Sequence, residues 1–163
     1  MIVKRVAGAI GAELQAINLG DAIDAELAET LRELLNEHEV LFLRDQSIEP
    51  ADQKALAEIF GPLQTHPAYH TVEGLPEVMI LESTKENPSK IEMWHSDMTF
   101  RQHPPSVTVL RGITIPEVGG DTLFASMTAA YEGLSFGMQQ YLDGLVAVHD
   151  FSHGFKESLA EPG

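Results

Sequence analysis

The clearest pattern in the chain follows Asp24, where Leu27, Leu31, Leu34 and Leu35 fall on one stripe of a 3.6-residue period and Glu26, Glu29, Arg32 and Glu33 fall on the other. Asp24 can accept from the first backbone N–H groups of that segment, so an amphipathic helix capped by Asp24 is predicted. Val40 to Leu43 is a short continuous apolar run, the pattern of a strand buried on both faces. Pro50 near its start and Gly61 just past its end bracket a second helix with Leu56, Ile59 and Phe60 on its core side. Val78 to Leu81, Val107 to Leu110 and Thr122 to Phe124 read as strands flanked by Pro or Gly turn signals. Ser126 caps a helical stretch through Tyr131 and Leu134, and another carries Met138, Tyr141, Leu142 and Leu145 before Val146 to Val148 returns to strand. From pattern alone this is a mixed α/β domain whose topology stays open.

Composition narrows the class. With 163 residues and 44% apolar content, the chain suits a single soluble domain, and it contains no repeat, linker or low-complexity tract. Its net charge of −15 argues against a nucleic-acid partner, because no basic cluster exists to neutralise phosphates. The absence of cysteine excludes disulfides and thiolate ligands. No apolar run approaches the roughly 20 residues of a membrane span, and no signal peptide is visible, so no membrane partner and a cytoplasmic location are expected.

The chemistry centres on Trp94-His95-Ser96-Asp97-Met98-Thr99-Phe100. On a strand, side chains at i and i+2 share a face, so His95 and Asp97 could converge on one cation. Imidazole with carboxylate is the ligand mixture of the two-His-one-carboxylate facial triad of non-heme iron enzymes. A strand-edge ion pair is the alternative. Context favours the metal: Pro104-Pro105, then Val107 to Leu110, then Pro116-Glu117-Val118-Gly119-Gly120-Asp121-Thr122-Leu123-Phe124 and Ala129-Ala130-Tyr131-Glu132-Gly133-Leu134-Ser135. Together with Val40 to Gln46, Phe60-Gly61-Pro62-Leu63 and His66-Pro67-Ala68-Tyr69, that order resembles the taurine dioxygenase family of iron(II)/2-oxoglutarate oxygenases over nearly the whole chain.

The resemblance implies a double-stranded β-helix, or jelly roll, with flanking helices, left incomplete here. Residues 1–163 would form a single domain, the N-terminal part of such an enzyme without its C-terminal segment. The implied activity is hydroxylation of a small organic acid, a sulfonate or alkyl sulfate ester, with 2-oxoglutarate and dioxygen converted to succinate and CO2. The cofactors implied are Fe(II), held by His95 and Asp97 as catalytic metal ligands, and 2-oxoglutarate as cosubstrate. Thr122 matches a threonine that helps hold the 2-oxoglutarate carboxylate; packing on a strand is the alternative. His66 and Tyr69 match the substrate-pocket segment, and Phe155 corresponds to an aromatic pocket wall or a core residue.

Several departures accompany the match. Where the taurine enzyme has a pocket asparagine, four residues before its first ligand histidine, this chain has Ile91, which argues against taurine as substrate. The family's distal histidine and its 2-oxoglutarate-binding arginine have no counterpart, Arg111 being the last arginine, so activity of the chain by itself is in question. Lys156 does not reproduce bidentate arginine recognition, and His149 and His153 are poor substitutes for the missing ligand. Two other classes stay open: a cupin-like metal-binding jelly roll, and a truncated non-catalytic homologue. An unclosed hydrophobic edge would favour a homo-oligomer.

Overall fold

The computed structural model describes residues 1–66, 69–86, 88 and 93–154, the last two by backbone alone. They fall into two compact units: Met1–Ile48 with Leu110–Val146, and Glu49–Val109 with Ala147–Gly163.

In the first unit, β1 (Ile2–Arg5) runs antiparallel to β2 (Ala12–Gln15), with Ile2 opposite Gln15 and Arg5 opposite Ala12. The chain reverses through Gly11, whose φ of 94° suits glycine; a Cβ there would lie 2.8 Å from Val6 Cγ2. β2 alternates as a half-buried strand does, with Ala12 and Leu14 inside and Glu13 and Gln15 turned outward. Helix α1 (Ala25–His38) then crosses over to β3 (Leu41–Phe42), which pairs parallel with β2.

The Asp24 cap forms as expected, its Oδ1 accepting from Leu27 N at 2.8 Å. Ala28 and Leu31 supply the buried stripe of α1 and join Ala12, Leu14, Leu19 and Ile48 in the core. The helix ends where Glu39 takes a left-handed conformation and donates its N–H to Leu35 O, and Gly11 N then donates to His38 O at 2.8 Å. β3 is shorter and less buried than its apolar run suggests, because it pairs with β2 alone and both its residues stay partly exposed.

Within the later segment of this unit, α3 (Met127–Glu132) and α4 (Phe136–Leu142) are capped by Ser126 and Ser135 and end short of the expected Leu134 and Leu145. Ser126 Oγ accepts from Ala129 N and donates to Glu39 Oε1 at 2.8 Å, while Phe124 meets Phe42 edge-on at 6.0 Å. Residues 122–124, and residues 146–148 that run from this unit into the second, were expected as strands and lie in no ladder, and Leu123 and Val146 are largely exposed. β-propensity is a preference for a pleated, paired environment, and among the described residues neither segment is paired in a sheet.

In the second unit, Pro50 opens α2 (Pro50–Glu58), where Glu49 and Asp52 satisfy each other's backbone N–H groups in a capping box. Ile59 and Phe60 fall in the turn after the helix, leaving Leu56 as its buried residue. A hairpin of β4 (Thr71–Val72) and β5 (Leu75–Met79) turns at Gly74, φ 76°. Its register ends pairing at Met79, so the expected strand at 78–81 is displaced toward the N-terminus and Leu81 is exposed. Lys54 of α2 pairs with Glu77 of β5 at 3.3 Å, and Gln53 Nε2 donates to Val109 O. Residues 107–110 form no ladder. A short helix, α5 (Phe151–Gly154), ends the described chain.

Candidate metal and substrate site

His95 and Asp97 are not carried by a strand. Residues 94–96 are irregular and 97–100 form a turn, closed by Arg101 N donating to Met98 O at 3.0 Å. Met98 adopts φ 56°, an uncommon conformation for a non-glycine residue. The side chains meet nonetheless: His95 Nε2 lies 3.3 Å from Asp97 Oδ1. Two donors about 2.1 Å from an octahedral divalent ion, at right angles to one another, lie about 3 Å apart, so this spacing suits adjacent coordination positions.

The far atoms of both groups are already engaged. His95 Nδ1 is 2.8 Å from Met93 O, and since a carbonyl can only accept, Nδ1 carries the proton. In the neutral ring Nε2 then presents its lone pair on the side of Asp97. Thr108 Oγ1 donates to Asp97 Oδ2 at 2.8 Å, leaving Oδ1 toward His95. Metal-binding imidazoles and carboxylates use such outer partners to fix tautomer and orientation. With both side chains about half exposed, the pair is open to an incoming ion.

An aromatic wall belongs to the same unit. His66 is 8% exposed, its ring 4.7 Å from Tyr69, 5.7 Å from Phe151 and 6.1 Å, edge-on, from Phe100. Phe100 and Phe151 themselves lie 4.7 Å apart. Burial lowers the pKa of His66, Arg101 lowers it further, and Asp97 opposes both. Tyr69 is raised by burial and then by Asp97. At neutral pH the wall therefore offers a neutral imidazole and a protonated phenol, and the charge of Asp97 reaches both. Arg101 Nη2 donates to Thr65 O at 3.0 Å, and Gln64 Nε2 to His103 O at 2.9 Å, tying the His66 segment to the turn after Asp97.

His66 and Tyr69 are thus brought together in the unit that holds His95 and Asp97. Thr122 belongs to the other unit, exposed just after Gly119 and Gly120, whose φ values of 80° and 72° explain the glycine pair. Phe155, Ile91 and Lys156 lie outside the described residues, as does the His153 side chain. His149 bonds Thr99 Oγ1 through Nδ1 at 2.8 Å, and among the described residues no group of three His, Asp or Glu gathers as a metal site. Thr108, Phe100, Arg101 and Phe151 escaped the sequence reading. Phe100 and Arg101 carried a signal in following the His-x-Asp motif directly, whereas Thr108 and Phe151 are placed by folding alone.

Comparison with known proteins places the chain in a family. Residues 3–162 match the family model for taurine catabolism dioxygenase TauD, TfdA family. An alkylsulfatase of Acinetobacter baylyi is 35% identical over 162 residues, covering 98% of this chain and 50% of its own. An alpha-ketoglutarate-dependent sulfate ester dioxygenase of Pseudomonas putida is 32% identical, covering 94% of this chain and 50% of its own. A taurine dioxygenase structure from Burkholderia xenovorans superposes with a TM-score of 0.79 at 35% identity, over 92% of this chain and 53% of its own. The chain spans about half the length of the curated relatives it matches. With that match running through the His95–Asp97 motif and the His66–Tyr69 segment alike, the protein belongs to the taurine catabolism dioxygenase TauD, TfdA family.

Proposed function

We propose that the protein acts as an iron(II)- and 2-oxoglutarate-dependent dioxygenase that hydroxylates a small organosulfur acid, an alkyl sulfate ester or a sulfonate, releasing succinate and CO2. The observation that carries this reading is the approach of His95 Nε2 to Asp97 Oδ1 at 3.3 Å, with the outer atoms of both groups fixed by Met93 O and Thr108. This donor set fits a divalent first-row metal. When bound, iron(II) supplies the activation of dioxygen that no side chain can perform.

The chain's own residues would bind, orient and exclude water. His95 and Asp97 hold the metal, and the third ligand comes from outside the described residues. Thr122 donates its hydroxyl to the 2-oxoglutarate carboxylate. His66 and Tyr69 donate hydrogen bonds to the anionic headgroup, while Phe100 and Phe151 shield the substrate carbon from water. Phe155 is assigned to the same pocket. Relatives named for sulfate ester chemistry support the substrate class.

The complete fold is proposed to be a jelly roll of one domain to which residues 1–163 contribute the metal-ligand motif and helical flank. The exposed apolar residues Leu123, Val146 and Val148 would pair in that fold or in a homo-oligomer. Among the described residues, no helix is long and apolar enough to cross a membrane.

The test is 2-oxoglutarate-dependent succinate release from the iron(II)-loaded enzyme with a panel of alkyl sulfates and sulfonates. Wild-type turnover that vanishes in Asp97→Ala and His95→Ala supports the reading, and retained turnover in Asp97→Ala would remove the metal assignment.

A further inference from the structure

We propose that Arg101 is a specificity-determining contact of this site, offering its guanidinium to the oxyanion headgroup of the primary substrate beside His66. The inference rests on the substrate reading given above and adds a residue of this chain that brings positive charge to the site.

The need for a cation is set by the composition, with 25 acidic residues against 10 Lys and Arg. An organic anion approaching such a surface is repelled unless a local positive charge receives it. His66 does not provide one, because burial and Arg101 together keep its ring neutral. Lys54 is engaged by Glu77 at 3.3 Å. Arg101 is positioned for the task. Its backbone closes the turn that begins after Asp97, with Arg101 N donating to Met98 O at 3.0 Å. Its Cζ lies 5.9 Å from the centre of the Phe100 ring, which itself faces His66 and Phe151.

One guanidinium N–H, on Nη2, donates to Thr65 O at 3.0 Å, the carbonyl next to His66. A guanidinium carries five N–H donors in a rigid fork, and the Arg101 side chain makes no other hydrogen bond to a described residue. Four donors thus remain for a bidentate oxyanion, on a side chain already held by Thr65 and Phe100.

The test compares Arg101→Gln and Arg101→Lys with the wild-type iron(II) enzyme, using hexyl sulfate as the probe substrate. Arg101→Gln is expected to raise KM for hexyl sulfate by about tenfold or more, the usual effect of losing a charged hydrogen bond, and to leave KM for 2-oxoglutarate within about twofold. Arg101→Lys is expected to recover part of the loss, keeping the charge without the fork. Equal rises in both constants would reduce Arg101 to ordering the Thr65–His66 segment. A rise confined to 2-oxoglutarate would make the cosubstrate carboxylate its ligand, and no change would remove the contact altogether.

If the wild-type enzyme turns over no sulfate ester, the substrate reading fails and Arg101 is judged by binding instead. Fluorescence of Trp94, the chain's single tryptophan, would then follow titration with hexyl sulfate, hexanoate and hexanol under argon. Preference for the anions that disappears in Arg101→Gln supports the proposal. Equal binding of hexanol and hexyl sulfate by the wild type overturns it.

Discussion

Thr108 and Asp97, eleven residues apart in sequence, are joined by a 2.8 Å hydrogen bond from Thr108 Oγ1 to Asp97 Oδ2. The bond fixes which carboxylate oxygen turns toward His95, since Oδ1 is the atom 3.3 Å from Nε2. The orientation of the Asp97 carboxylate, proposed above as a ligand, is therefore set by a hydroxyl that a reading of the His-x-Asp motif would pass over.

Replacing Thr108 by valine keeps the shape and removes the donor. Thr108→Val is expected to weaken divalent-metal affinity by about 10- to 100-fold, the usual effect of losing an outer partner of a ligand. Calorimetric titration with manganese(II) checks this. Unchanged affinity would assign Thr108 to packing.

Thr122→Val removes the hydroxyl proposed to hold 2-oxoglutarate, at a cost of about 1–2 kcal/mol, or roughly a 5- to 30-fold higher KM for the cosubstrate. Steady-state kinetics with 2-oxoglutarate varied at saturating substrate would detect it. A KM equal to wild type would return Thr122 to a structural role.

His66 adds a pH dependence whose sign follows from its lowered pKa. In the unfolded chain the ring titrates near 6.5, and in the folded chain below that, so between those values the unfolded state holds more protons. The contribution is complete above pH 6.5 and is lost as pH falls toward the folded value. Thermal unfolding between pH 7.5 and 5 is expected to show a smaller loss in His66→Phe than in wild type. An identical decline in both proteins would contradict the assignment.

Gly11→Ala is expected to lower stability by about 1–3 kcal/mol, because its φ of 94° is unfavourable for alanine and the new Cβ would press on Val6 Cγ2 at 2.8 Å. Urea unfolding gives the comparison. A wild-type midpoint would show that the β1–β2 turn relaxes without penalty.

What the sequence determined by itself was local or motif-bound. Asp24, Pro50 and Ser126 begin their helices because such signals act within three residues of themselves, and the apolar stripe on Leu27 and Leu31 needs only the helical period to be visible. His95 and Asp97 were legible as candidates because residue type and spacing carry the chemistry of ligation, whereas His66 and Tyr69 were legible only through the family resemblance of their segment. Tertiary structure decided everything that depends on a neighbour distant in the chain. A strand exists only when another lies beside it, so the apolar runs at 107–110, 122–124 and 146–148 failed as predictions while the shorter run at Leu41–Phe42 found β2. Convergence of His95 and Asp97 came from a turn with Met98 in a left-handed conformation, not from strand alternation. The contacts that Thr108, Phe151 and Arg101 make span 11 to 85 residues, and folding alone brings those side chains to their partners.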